Sequence, residues 1–301
     1  MTKAINKKTL RGKIIIIILL VLAFVVYRLV YKKSKLKEKP AVEQAVAEVV
    51  VEKEPAKLEE PEKPQEVVGC KSDEAAINGV EVAAALQNGE AATWLDKNGL
   101  SKVACLTFDD GPSARTSEVL ETLEGHGVRG TFFVLGKQLE SEFGQDALKK
   151  TYEGGNAIGN HTYTHDYAHL YPGRKLNLEN FKAEAEQTDA KLKEVLGAGF
   201  VTRIVRAPGG FCSWKGMDAL HDHLATIGKA AIDWTAESGD AVSGPPKTAE
   251  QIVEYTKASV GDQRLVVLLM HDAPAKKETV KALPTIISYL KEKGYEFKVL
   301  V

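Results

Sequence analysis

A distorted (β/α)7-8 barrel, an α/β architecture, is what this sequence predicts from residue 102 onward, on three observations. Short apolar runs alternate with amphipathic stretches of helical period. Seven such runs occur, and strands separated by helices pair in parallel and, in this number, usually close into a barrel. The polar motifs fall at the C-terminal ends of the runs, the end of a barrel where reactive groups collect.

The runs that predict strands cover residues 103–108, 128–135, 157–160, 202–207, 229–233, 265–271 and 296–301. Each is short, apolar and rich in β-branched or aromatic residues, and most end at a Gly, Pro or charged cluster. The intervening patterns predict helices over 116–124, 145–153, 178–196, 215–227, 249–259 and 278–293, where apolar residues recur at three- and four-residue intervals.

Before this domain the chain changes character twice. Residues 14–31 form a nearly unbroken apolar run, about 27 Å long as a helix and so able to span a bilayer. It ends in Tyr27-Arg28-Leu29-Val30-Tyr31 and then lysines, without the small-residue cleavage site of a signal peptide, which predicts an uncleaved anchor. Basic residues flank both ends equally, so charge does not set the orientation. The N-terminus is placed in the cytoplasm because the bulk of the chain follows the helix and looks secreted. Residues 34–70 are rich in Lys, Glu, Ala, Val and Pro and lack aromatics, a composition that cannot bury enough apolar surface to offset its ordering entropy. This predicts a disordered tether with a reach of about 115 Å at most. The expected organisation is a cytoplasmic tail and transmembrane anchor over 1–33, the tether over 34–70, a helical lead-in over 71–101 with a helix at 72–86, and the main domain over 102–301.

With 301 residues, 44% of them hydrophobic, and a net charge of −1, the chain lacks the basic surface that nucleic-acid binding needs. Cys70, Cys105 and Cys212 are odd in number and far apart, so they form neither a disulfide framework nor a zinc-finger pattern. Nothing implies a protein partner.

Five motifs carry chemistry. Asp109-Asp110-Gly111-Pro112 closes the first strand. Adjacent strand residues point to opposite faces, so both carboxylates serve one site only if the backbone bends there, as Gly-Pro allows; the same residues also suit a plain turn. His161-Thr162-Tyr163-Thr164-His165 follows the third strand, and two histidines four apart can meet on one cation if an acid joins them; alone, such a pair is more often unconnected surface or core histidines. His169 is a substitute ligand, an exposed histidine or a groove residue. Arg206-Ala207-Pro208-Gly209-Gly210 ends the fourth strand with a guanidinium able to hold an aspartate ionised, or simply to make an ordinary ion pair. Asp233-Trp234, with Asp240 beyond, ends the fifth, its indole a pocket wall or core packing. His271-Asp272 ends a buried strand, and a histidine beside a metal site is a natural general acid.

In this order, across 102–301, the motifs closely resemble the polysaccharide deacetylases of the NodB-homology type, carbohydrate esterase family 4, including membrane-anchored peptidoglycan N-acetylglucosamine deacetylases. The resemblance implies a distorted (β/α) barrel and hydrolysis of acetyl groups on a polysaccharide. It implies Asp109 as general base; Asp110, His161 and His165 as ligands of one divalent metal, zinc first, with Co2+, Ni2+ or Mn2+ as alternatives; Arg206 as the group that orients Asp109; and His271 as general acid, tuned by Asp233. Trp234, Pro208, Gly209 and Tyr163 are the implied substrate contacts. The chain departs from the family at Gly209, where an aromatic is common, and at Ala241, where a second Trp is.

The anchor and tether suit an enzyme held at the outer face of the cell membrane, single-pass with the domain outside, and working on the wall. Peptidoglycan N-acetylglucosamine is the first expected substrate. N-acetylmuramic acid, chitin oligomers, poly-N-acetylglucosamine and acetylated xylan are alternatives. An inactive carbohydrate-binding module has no need of the metal and acid–base set. A glycosidase is disfavoured because adjacent carboxylates cannot flank a sugar bond, and a serine hydrolase because no Gly-x-Ser-x-Gly elbow occurs.

Overall fold

The computed structural model describes residues 67–71 and 75–301. The expected membrane span, most of the tether and the start of the lead-in helix lie outside the described residues. No helix among the described residues is long and apolar enough to cross a membrane.

The chain enters through two short strands, β1 (Val67–Val68) and β2 (Ala76–Ile77), and two helices, α1 (Gly79–Gln87) and α2 (Ala91–Lys97). The helix expected over 72–86 therefore starts later. Asn78 sets its start, accepting from the N–H groups of Val80 and Glu81 as an N-cap. Then come β3 (Val103–Asp109), α3 (Ala114–Gly125), β4 (Gly130–Val134), α4 (Glu142–Glu153), β5 (Ala157–Asn160), a one-turn α5 (Tyr167–Leu170) and the long α6 (Leu178–Leu196). The second half holds β6 (Phe200–Val201), β7 (Ile204–Val205), α7 (Asp218–Thr226), β8 (Ala230–Ala231), β9 (Ala236–Glu237), α8 (Ala249–Val260), β10 (Leu265–His271), α9 (Lys277–Glu292), β11 (Glu296–Phe297) and β12 (Val299–Leu300).

The main sheet is parallel throughout, in the order β8-β7-β5-β4-β3-β10-β9, with β11 also on β3. β8 and β9 end the row and do not pair with each other, so the expected barrel is an open half-barrel. The reason lies in the second half of the chain. The fourth expected strand shrinks to β7, with β6 lying just before it and off the main sheet, the fifth shrinks to two residues, and β9 is an addition beyond the expected seven. Polar or glycine-rich turns at Arg206–Gly210 and Asp233–Thr235 replace the ladder there, and strands this short cannot close a circle. The last expected strand also divides. β11 takes the edge of β3 at Val103 and Ala104, below the point where β4 begins pairing at Leu106, and β12 crosses to β2.

Alternation along β3 decides which residues reach the site. Ala104, Leu106 and Phe108 pack outward with Val119 and Leu123 of α3 and with residues of α8 and α9. Val103 and Cys105 point inward, sharing a core with Val82, Trp94, Leu95, Phe133, Ile232 and Val267, so helices α1 and α2 plug one end of the half-barrel. By the same period Thr107 and Asp109 continue inward toward the other end. Cys105 is a fully buried small hydrophobe whose thiol burial pushes up to about 12.

Candidate active site

β3 and β10 deliver the first pair. Their register sets His271 directly across from Asp109. The next residue, Asp110, takes a positive φ of 75°, which turns its carboxylate into the same site instead of to the opposite face. Gly111 makes the turn possible by size, since a β-carbon there would collide with both carboxylate oxygens of Asp272. Asp272 is buried, donates its backbone N–H to Asp109 at 3.1 Å, and accepts from Thr116 through its side chain and from Ser113 through its backbone. Burial pushes its carboxyl up to about 7, with the Asp110 charge adding to the effect.

Arg206, wholly buried, reaches across from the end of β7. Its Nη1 donates to Asp109 Oδ1 at 2.8 Å and to Thr107 Oγ1 at 2.7 Å, and its Nε donates to the carbonyl of Ile232 at 3.1 Å. The guanidinium lies 4.0 Å from the centre of the Phe133 ring. A buried charge with this many partners is held in one orientation, and it fixes Asp109 in turn.

Asp110, His161 and His165 come together at the mouth. His161 Nε2 and His165 Nε2 each lie 3.5 Å from Asp110 Oδ1, and one ligand atom from each residue falls within 4.8 Å of the others. His161 Nδ1 is 2.8 Å from the carbonyl of Arg206. A carbonyl only accepts, so Nδ1 carries the proton and the Nε2 lone pair faces the cluster. Burial opposes protonation of His161, but the charges of Asp109 and Asp110 outweigh it and raise its pKa. Burial and the neighbouring His161 lower that of His165. Burial also opposes charge on Asp110, yet the nearness of His161, His165 and His271 outweighs it and holds this carboxyl far below its ordinary range. Asp110 Oδ1 is buried with no hydrogen-bond partner, as suits an atom meant for a cation. Two neutral-capable imidazoles and one carboxylate fit a catalytic divalent metal, with positions left open for water and substrate.

The loop bearing both histidines bends sharply, with positive φ at Thr162 (66°) and His165 (62°). Glu184 of α6 holds it from behind, its buried carboxylate accepting from Tyr163 N (3.1 Å), Thr164 N (2.9 Å) and Thr164 Oγ1 (2.6 Å). His169 is exposed, 3.9 Å from Glu184, and outside the ligand cluster.

Two expected roles need correcting. His271 is paired with Asp240, not Asp233. Asp240 Oδ1 is 2.8 Å from His271 Nδ1, and its Oδ2 accepts from the His271 backbone N–H at 3.0 Å. Burial lowers the His271 pKa, but the Asp240 hydrogen bond and charge outweigh it and the net shift is upward. Asp233 instead accepts from Phe211 N at 2.9 Å, and burial raises its pKa. Tyr163, expected among the substrate contacts, is buried against Gly136, and its hydroxyl donates to Glu140 at 2.7 Å. Trp234 is half-buried, packs against Gly210 and lies 5.9 Å from the Arg206 guanidinium. Pro208 is buried and Gly209 half-buried, the latter with a φ of 77°. The residues missed from sequence are Asp240 and Glu184. Had β9 been predicted, its pairing of Glu237 with Leu269 would have carried Asp240 to His271; Glu184 is one of several acids along an amphipathic helix and carries no local signal.

The parallel half-barrel, with Asp109, His271 and an Asp-His-His cluster at its C-terminal end, has the frame of a hydrolase of the acetyl-removing class. The chain belongs to the polysaccharide deacetylase family, whose model matches residues 96–224. It is 33% identical over 201 residues to a peptidoglycan-N-acetylglucosamine deacetylase of Bacillus cereus, covering 65% of this chain and 68% of that one. A carbohydrate esterase family 4 structure from Streptococcus mutans superposes with a TM-score of 0.70 at 32% identity, over 78% of this chain and 96% of that one. The catalytic domain of a peptidoglycan N-acetylglucosamine deacetylase from Eubacterium rectale gives a TM-score of 0.59 at 29% identity, over 67% and 89%.

Proposed function

We propose that this chain hydrolyses the N-acetyl group of N-acetylglucosamine in peptidoglycan, using one divalent cation, zinc first, held by Asp110, His161 and His165. The observation that carries the reading is the placement of Asp109. Its Oδ1 is tied to Arg206, and its Oδ2 lies 3.7 Å from His161, at the edge of the three-ligand cluster.

When bound, the cation would supply Lewis acidity toward the acetamide carbonyl and the attacking water. Asp109 removes the proton of the attacking water, and Arg206 keeps the carboxylate aimed. His271 stands on the other strand of the same pair, with Nδ1–H committed to Asp240 and Nε2 left to protonate the departing amine. An amide leaves poorly, so an acid at this place is required. Trp234 and Gly209, both half-buried near Arg206, are the substrate contacts proposed on this side, with Pro208 buried behind them. We place the domain outside a cell membrane on the strength of the apolar run at 14–31 and the linker after it.

The test is acetate release by the purified full chain from muramidase-digested peptidoglycan, chitin oligomers and acetylated xylan, with chelation and metal add-back. Chelator-sensitive acetate from peptidoglycan is the expected result. Asp109→Asn should lose turnover and keep metal, whereas Asp110→Asn should lose both. Near wild-type turnover by Asp109→Asn would overturn the base assignment, and acetate from xylan alone would overturn the substrate.

A further inference from the structure

Beside the ligand cluster lies a run of aromatic rings that the chemistry above does not use. Tyr167, the first residue of α5, has its ring 5.0 Å from that of His165 and 5.1 Å from Trp214. Trp214 stacks flat on the buried Tyr171, with ring centres 4.2 Å apart at 8°. Its Nε1 donates to the carbonyl of Pro208 at 2.8 Å, which ties it to the turn that follows Arg206. The Arg174 guanidinium, 5.5 Å from the Trp214 ring, donates to the carbonyl of Ser213 and braces the far side. Tyr171 and Leu170 belong to the core, which accounts for the inner half of the cluster. Packing does not account for Tyr167, which is 44% exposed at the mouth of the site.

A β-carbon on Gly209 would sit 3.2 Å from the Trp214 ring, so the indole packs over the backbone of the turn that follows Arg206. The ring is continuous with Tyr167 and hence with His165.

We infer that Tyr167, backed by Trp214, forms a stacking subsite for the pyranose ring next to the one being deacetylated. This rests on the glycan reading above. A pyranose in its chair form presents an apolar face of axial C–H bonds and keeps its hydroxyls at the rim, which matches an exposed aromatic face edged by polar groups. Here the edge is formed by Asp166 and Arg174, both exposed. Tyr167 touches His165 and the wall runs outward from there to Trp214, away from the ligand cluster, which is the direction of the next sugar of the same chain.

The test compares chitin oligomers of two to five sugars as substrates of the full chain. In the wild type kcat/KM should rise with length once the neighbouring sugar is present. In Tyr167→Ala that rise should disappear, with KM for the tetramer up about fivefold and kcat changed far less, as fits loss of one aromatic contact. Tyr167→Phe should restore the length dependence, because the ring and not the hydroxyl makes the contact. An undiminished length dependence in Tyr167→Ala, or an equal loss of kcat on dimer and tetramer, would overturn the inference. So would a wild type indifferent to length. A second reading uses the Asp109→Asn chain, with tetramer quenching its tryptophan fluorescence and Trp214→Phe abolishing the quench. If no oligomer is deacetylated, tetramer binding lost on Tyr167→Ala still supports the subsite while the deacetylation reading alone fails. Equal binding by Tyr167→Ala removes the subsite.

Discussion

Asp240 grips His271 at two points, through the ring at Nδ1 and through the backbone N–H. Because a carboxylate only accepts, the ring proton is on Nδ1 and Nε2 is the atom free to exchange protons with substrate. The same carboxylate accepts from Thr279 Oγ1 at 2.9 Å, so three donors hold it in place. Asp240 raises the pKa of His271, and the acid form survives to higher pH than an isolated imidazole would. Replacing Asp240 with Asn removes the charge that raises it. The alkaline limb of the kcat/KM profile should therefore move to lower pH, while His271→Ala should cost about 10²–10⁴-fold with no limb to move. A profile unchanged in Asp240→Asn would mean that His271 is not the titrating acid.

Arg206 and Asp109 are both buried, and each is the other's main compensation. Arg206→Leu leaves the aspartate charge in the core without a partner, so the variant should lose about 3–5 kcal/mol of stability in denaturant titration. Asp109→Asn with Arg206→Leu together should recover part of that loss, because no lone charge remains. Arg206→Lys, a single ammonium with a shorter reach and no planar fork, cannot meet Asp109, Thr107 and Ile232 at once and should still fall well short of the wild type.

Glu184 touches no substrate position, yet it takes three hydrogen bonds from the loop that presents His161 and His165. Glu184→Ala should weaken metal affinity about 10–100-fold, read by competition with a chelating dye. Glu184→Gln keeps one acceptor oxygen and should lie between. Unchanged affinity in Glu184→Ala would show that the loop holds its bend without help.

Gly111 and Asp272 meet where the two carboxylates turn. Gly111→Ala should destabilise the fold by about 1–3 kcal/mol and lower metal content with it, since the methyl displaces the Asp272 carboxyl or the backbone of Asp110. The Asp272 carboxyl, raised to about 7 in the fold against an ordinary 3.8, favours its neutral form there. Its contribution to stability is complete below about pH 4 and is lost as pH climbs through 7. Unfolding of the metal-free protein followed from pH 4 to 8 should show this decline, and Asp272→Asn should flatten it.

Much of this was legible in the sequence because β3, β5 and β10 are largely apolar runs that end in or just before their functional residues. Asp109, Asp110, His161, His165, Arg206 and His271 meet where strand-end reasoning puts them. The open edge was not legible, since β7, β8 and β9 are two-residue strands whose pairing comes from tertiary contacts and leaves no periodic trace. The misassignment of Asp233 follows directly. The resemblance implies Asp233 for this role, and with β9 leaving no periodic trace nothing in the sequence shows that the residue reaching His271 sits in the turn after β9. Tyr163 was misplaced for a related reason, because the positive φ at Thr162 rotates the loop and buries that ring against Gly136.

Val67 to Cys70 fasten the domain at the end opposite its site. Val67 and Val68 pair with β6, Gly69 accepts from Ile158 at the start of β5, and Cys70 packs on Ala157 and Val299. All of these contacts lie at the end where the strands begin, whereas Asp110, His161 and His271 stand where they finish. The domain is thus gripped by its base. The β1–β6 pairing therefore fastens the strand-entry end and leaves the site at the opposite end free of contacts from these residues.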